Sequence, residues 1–76
     1  MIHQEVTSSD VSTLGFEVTG VIERNGTLEV VFHSGGTYQY YDVPQSEYQA
    51  VLESPSVGRA LNERIKTKNY AYKKVA

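Results

Sequence analysis

Thr27-Leu28-Glu29-Val30-Val31-Phe32-His33 and Thr37-Tyr38-Gln39-Tyr40-Tyr41-Asp42-Val43, joined by Ser34-Gly35-Gly36, decide the fold. Both runs are rich in β-branched and aromatic residues, which favour extended backbone. Successive side chains of a strand point to opposite faces. Leu28, Val30 and Phe32 therefore share one face, with Glu29, Val31 and His33 on the other. A three-residue loop, Ser34-Gly35-Gly36, with glycine at a left-handed position is a common hairpin solution. It sets Phe32 opposite Tyr38 and Val30 opposite Tyr40. This register gathers Leu28, Val30, Phe32, Tyr38 and Tyr40 on a single apolar face, and a slip of one residue scatters them.

Upstream, Phe16, Val18, Val21 and Ile22 mark a first strand over about Gly15 to Arg24. Asn25-Gly26 follows, and between two β-rich runs it predicts a two-residue hairpin turn. Residues 4–13 are rich in Ser and Thr. They read as a lead-in segment with a turn near Ser8-Ser9-Asp10.

Downstream, Pro44 suits the first turn of a helix, where its missing N–H costs nothing. Tyr48, Val51 and Leu52 recur at helical spacing, which predicts a short helix over Pro44–Glu53. Ser54-Pro55-Ser56 breaks it, and either serine can cap a new start. Val57, Ala60, Leu61 and Ile65 form the stripe of a second helix, about Ser56–Lys66, with Asn69 as its stop. Tyr70-Ala71-Tyr72-Lys73-Lys74-Val75 alternates weakly, as either a short edge strand or an extended tail. The expectation is an α+β domain: a three- to four-stranded antiparallel meander packed against two C-terminal helices. The helices must seal the apolar face, because nothing else can.

The chain has 76 residues, room for one core and one domain spanning 1–76. It has no cysteine, which removes disulfides and thiolate zinc sites. Met1-Ile2-His3-Gln4-Glu5 lacks the basic and apolar regions of a signal peptide. No apolar run approaches the roughly 20 residues of a membrane span. A soluble, cytoplasmic protein with no membrane role is expected.

The net charge of -2 conceals an asymmetry. Through residue 58, Arg24 stands alone against Glu5, Asp10, Glu17, Glu23, Glu29, Asp42, Glu47 and Glu53. After it, Arg59, Arg64, Lys66, Lys68, Lys73 and Lys74 stand against Glu63 alone. A basic end on an acidic body attracts a polyanion locally. The plainer reading is that Lys and Arg complement the dipole at a helix C-terminus.

Taken together, these residues resemble the KTSC family, named for its occurrence at the C-terminus of some lysyl-tRNA synthetases. The family also occurs as stand-alone proteins in bacteria and phages. The resemblance runs from about Val6 to Val75. It rests on Val6-Thr7-Ser8-Ser9, Leu14-Gly15-Phe16, Thr27-Leu28-Glu29-Val30 with Phe32, Ser34 and Gly35, and Tyr38-Gln39-Tyr40 before Asp42-Val43-Pro44. Tyr48, Ser56, Gly58, Asn62, Ile65 and the closing Tyr70-Ala71-Tyr72-Lys73-Lys74-Val75 continue it. Two departures stand out. The stretch between Phe16 and Leu28 is longer than is usual for the family, and Leu61 stands where it often has Phe. What the resemblance implies about function is RNA binding, through the synthetase association.

The candidate contact residues follow from chemistry. Tyr70 and Tyr72, interleaved with Lys66, Lys68, Lys73 and Lys74, form the most nucleic-acid-like stretch. Lysines track phosphates and aromatic rings stack bases. Tyr41 faces away from the predicted core and is the further stacking candidate. Tyr38 and Tyr40 lie on the core face and read as structural. Gly58 inside a helix reads as structural too, explained by close approach of helix to sheet. Arg59 and Arg64, five apart on a helix, project from different sides.

His3 and His33 are isolated in sequence. No carboxylate pair has spacing for acid–base work, and no cluster has metal-ligand spacing. The expectation is a binding domain without enzymatic activity or cofactor. Its partner is RNA or tRNA, or alternatively a protein that pairs with an exposed strand, Thr37–Val43 or Gly15–Arg24. The same edge pairing allows a weak homo-oligomer in place of a monomer.

Overall fold

The structure is a computed structural model that describes residues 1–76, with only the backbone described for Glu23. Five strands form one antiparallel sheet in the order β1-β2-β3-β4-β5. They are β1 (His3–Glu5), β2 (Val11–Val18), β3 (Gly26–Phe32), β4 (Thr37–Val43) and β5 (Tyr72–Lys74). Between β4 and β5 the chain forms α1 (Gln45–Leu52) and α2 (Val57–Arg64). The α+β architecture matches the sequence reading, with one strand more than its upper count.

The β3–β4 hairpin keeps the predicted faces but not the predicted pairing. Leu28 lies opposite Tyr40 and Val30 opposite Tyr38. The loop closes on His33-Ser34-Gly35. Phe32 N–H donates to the Gly36 carbonyl at 2.9 Å, and Gly35 N–H donates to the Phe32 carbonyl at 2.9 Å. Gly35 takes the positive φ, at 103°. Sliding the three-residue loop back by one shifts the pairing by two residues, so every side chain keeps its face. Phe32 and Tyr38 remain neighbours, with their rings edge-to-face at 5.8 Å.

The first strand differs more. It starts at Val11 and ends at Val18, so Val21 and Ile22 lie outside it, 94% and 74% exposed. Asn25-Gly26 is not a two-residue turn. Asn25 is extended, and Gly26 already belongs to β3, opposite Val18 and Val43. A Cβ on Gly26 would lie 2.1 Å from the Glu17 carbonyl oxygen. Close backbone approach, not positive φ, requires glycine there. The connection is a longer loop. In it Thr19 and Gly20 donate to the Asn25 carbonyl, each at 2.9 Å, and Ile22–Arg24 forms a 3-10 turn.

The lead-in segment contains an unforeseen strand, β1, which pairs Gln4 with Leu14. The predicted turn follows it: Ser8 Oγ accepts from the N–H groups of Asp10 and Val11, both at 3.2 Å. At the other end, Tyr72–Lys74 is a strand and not a loose tail. β2 and β4 are both paired on two sides, so neither predicted edge is free. The edges are β1 and β5.

Pro44 caps α1, its carbonyl accepting from Glu47 at 3.0 Å and Tyr48 at 3.3 Å. Neither serine caps α2 with its side chain. Ser54 Oγ instead engages the backbone of Ser56. Asn69, at φ 60°, ends the helical run as expected. Both helices seal one sheet face, burying Val51, Val57, Ala60, Leu61 and Ile65 with Val11, Leu14, Leu28, Val30 and Val43. Phe16 of β2 stacks on Tyr48 of α1 at 4.8 Å and an 8° interplanar angle. A bulge at Tyr41-Asp42 (φ 56° at Asp42) re-aims β4, so that Tyr40 and Val43 both face the core. Among the described residues no helix is long and apolar enough to cross a membrane.

Candidate nucleic-acid interface

β5 returns beside β4 with Tyr40 opposite Tyr72, Gln39 opposite Lys73 and Tyr38 opposite Lys74. Strand alternation therefore puts Tyr72 and Lys74 on the helix side of the sheet, with Tyr38 and Tyr40. A cleft of about 590 Å³ opens there, at the C-terminal end of α2. Tyr38, Tyr40 and Tyr72 line it from the sheet. Ile65, Lys66, Asn69 and Tyr70 line it from the chain leaving α2, and Phe32 and Ser34 close one end.

The aromatic rings form a connected set. Tyr72 lies 5.7 Å from Tyr40 and 6.4 Å from Tyr38, both tilted. Tyr40 is buried, whereas Tyr72 is 65% exposed. Burial, with Tyr38 and Tyr72 alongside, pushes the Tyr40 hydroxyl above its ordinary pKa, so it stays protonated near neutral pH. The Lys66 ammonium sits 5.0 Å from the centroid of the Phe32 ring. Such cation–π contact holds a cation at the cleft without neutralising it.

The structure thus brings together Lys66, Tyr70 and Tyr72 with Tyr38 and Tyr40. Lys74 lies opposite Tyr38 on the same side of the sheet, beside the cleft and outside its lining. Tyr40 is a core residue and a cleft residue at once, and Tyr38 lines the cleft while packing partly buried against the core. The other candidates lie elsewhere. Lys73 and Tyr41 are on the opposite face, where the Tyr41 hydroxyl donates to Gln39 Oε1 at 3.0 Å. Lys68 lines a separate groove of about 360 Å³ with Ser54, Ser56, Arg59 and Arg64. The two arginines therefore converge on one groove instead of diverging. Each also meets a carboxylate, Arg59 with Glu63 at 3.2 Å and Arg64 with Glu47 at 3.3 Å. Phe32, Ile65 and Asn69 complete the cleft, although by type they do not stand out as contact residues in the sequence. Alternation from Tyr38 could have placed Phe32, but nothing local could have placed the other two.

Gly58 approaches a turn, not the sheet. A Cβ there would meet Ser8 Oγ at 3.5 Å and Asp10 Oδ2 at 3.6 Å, ordinary contact distances.

The opposite face carries a polar chain across four strands. His3 Nδ1 lies 2.8 Å from Thr13 Oγ1, and His3 Nε2 lies 2.5 Å from Glu29 Oε2. Gln39 Nε2 donates to Glu29 Oε1 at 2.8 Å. That bond, and then His3, hold the Glu29 carboxyl below its usual pKa against the opposing effect of burial. His3, isolated in sequence, is thus paired in space. A Cβ on Gly15 would lie 2.8 Å from the His3 ring, so the imidazole lies directly on that glycine. Among the described residues no three His, Cys, Asp or Glu side chains group as metal ligands.

The KTSC domain model matches residues 7–75. The chain belongs to the KTSC domain family. A KTSC domain protein from Yersinia pestis, known from its crystal structure, superposes with a TM-score of 0.84 at 31% identity, over 99% of this chain and 97% of that one. An uncharacterised protein of Stutzerimonas stutzeri (strain A1501) is 40% identical over 65 residues, spanning 86% of this chain and 84% of that protein. The five-stranded sheet and its two helices are thus the fold of a KTSC domain.

Proposed function

We propose that this KTSC domain is a non-catalytic, cytoplasmic binding module that holds single-stranded RNA in the tyrosine cleft. One observation carries the reading. An exposed ring, Tyr72, stands over a tyrosine floor beside the cation Lys66, with Lys74 on the same side of the sheet. Single strands are held by stacking on aromatic faces and by charge along the backbone, and the cleft offers both. The acidic body limits the electrostatic contribution, so affinity is weak and confined to this side. Titration of labelled single-stranded RNA and of tRNA at low salt tests it. Salt-sensitive binding, weakened by loss of Tyr72, is expected. Absence of binding, or binding that salt leaves unchanged, sinks it.

A second reading, a protein-interaction module, has its own support. Val21 and Ile22 project from the β2–β3 loop almost fully exposed. It requires a specific protein partner whose capture is lost on changing Val21 and Ile22 to serine and kept on removing Lys66 and Lys74.

A further inference from the structure

The two edges of the sheet differ in what they offer a second copy of the chain. Along an antiparallel strand, successive residues turn their backbone N–H and C=O toward alternate sides. Val6 N–H donates to the Ser12 carbonyl at 3.2 Å. In the β1–β2 register, Val6 and then Gln4, opposite Leu14, therefore turn their backbone groups toward β2. His3 and Glu5 turn theirs outward, where the sheet ends. On β5, Val75 N–H donates to the Thr37 carbonyl at 2.8 Å, and the Ala71 carbonyl accepts from Tyr41 at 2.9 Å. Tyr72 and Lys74 therefore hold the outward groups at that edge. If β5 paired antiparallel with itself over all its residues, Lys73 would face Lys73. Like charges directly opposite repel, and lysine is a common guard of an open edge.

We propose that β1 is a self-pairing edge, through which two copies join about a two-fold axis into one continuous antiparallel sheet. The register centres on Gln4. His3 of each copy then exchanges backbone hydrogen bonds with Glu5 of the other, using the groups that point outward on both strands. The side chains agree with that pairing. Glu5, which makes no ion pair among the described residues, faces the His3 imidazole and no like charge. Gln4 faces Gln4, and two primary amides can hydrogen-bond to each other. Ile2, 87% exposed, faces Val6, which packs partly buried against the core. A slide of two residues keeps the backbone phase but sets Glu5 against Glu5 or His3 against His3. One register therefore satisfies backbone, charge and apolar contact together. A closed two-fold dimer follows, because the same patch serves both copies. The inference stands apart from the RNA-binding reading: the tyrosine cleft lies at the far edge, along β4 and β5, and stays open.

Sedimentation of the whole chain over a concentration series tests this. An edge from Ile2 to Val6 buries far less than the roughly 1,200 Å² of a standard interface, so a reversible dimer with Kd on the order of 100 μM is expected. Glu5→Pro removes an outward N–H that the β1–β2 ladder does not use. It should weaken the dimer about tenfold or more, with the melting temperature of the dilute chain unchanged. Lys74→Pro does the same to β5 and should leave the dimer intact. The chain has no cysteine, so a single introduced thiol reports one position. Gln4→Cys, at the two-fold axis, should form a disulfide-linked dimer with glutathione disulfide at least about tenfold faster than Lys73→Cys does. A chain that stays monomeric up to about 1 mM overturns the proposal, since even a weak edge contact would show there. So does a dimer that Glu5→Pro leaves intact or that Lys74→Pro removes. Should Glu5→Pro fail to fold, the thiols decide: equal rates at the two positions overturn the pairing, and faster linkage at position 4 sustains it.

Discussion

The ring of Tyr72, on the edge strand β5, lies 5.7 Å from that of Tyr40, which is buried in the core. This contact couples the candidate interface to the fold, because the outer ring rests on one packed into the core. Removing Tyr72 should therefore separate binding from stability. Its exposed ring contributes little to the core, so Tyr72→Ala should change stability by less than about 1 kcal/mol. Loss of one stacking surface should weaken RNA binding by about 1–3 kcal/mol. Paired thermal melts and titrations check this. A large loss of stability with unchanged affinity would assign Tyr72 a purely structural part.

The lysines provide a sharper contrast. Lys66 sits at the cleft, whereas Lys73 pairs opposite Gln39 and faces the other side of the sheet. Each phosphate contact on a single strand adds about -0.7 to the slope of log K against log salt. Lys66→Ala should flatten that slope by about this amount, and Lys73→Ala should leave it unchanged. Equal effects of the two changes would mean diffuse attraction by the basic end, without a defined cleft.

Two glycines should respond in opposite directions to the same substitution. Gly58 lies inside α2 with room for a methyl group, the nearest atom being 3.5 Å from a Cβ. Gly58→Ala should stabilise by about 0.5–1 kcal/mol, the ordinary helix cost of glycine. A Cβ on Gly26 would lie 2.1 Å from the Glu17 carbonyl oxygen, and that atom belongs to the backbone of the neighbouring strand. Gly26→Ala must part β2 from β3 and should destabilise by more than about 2 kcal/mol. Chemical denaturation of both variants decides. A destabilised Gly58→Ala would show that the Ser8–Asp10 turn tolerates no added bulk.

These glycines also show what the sequence could reveal. Faces were legible because alternation has a period of two, and it survived a pairing error of two residues at Leu28 and Tyr40. The helices were legible because Pro44, Pro55 and Asn69 punctuate an apolar stripe. The β2–β3 loop was not, because Asn25-Gly26 has the composition of a tight turn whether glycine serves φ or close approach. Val21 and Ile22 look like strand residues for the same reason: propensity does not report exposure. The cleft was half legible. Tyr70, Tyr72 and Lys66 stood out by type. Their meeting with Phe32 and Tyr38 needed β5 to return beside β4, a pairing between distant segments that no local pattern specifies.

The opposite face makes the pH dependence of stability predictable. Gln39 and His3 hold the Glu29 carboxyl below its usual pKa in the folded chain. The folded state therefore binds a proton there less readily than the unfolded state does. The stability this contributes is complete above the unfolded-state pKa and is lost as pH falls through the folded-state value. Glu29→Gln removes the titration, so the parent's advantage over this variant should shrink as pH falls from neutral through and below the ordinary carboxylate range. Gln39 is the largest cause of the shift, so Gln39→Ala should move the Glu29 pKa upward in a carboxyl-resolved NMR titration. A difference between parent and Glu29→Gln that stays constant with pH would mean that the chain from Thr13 to Tyr41 acts through shape alone.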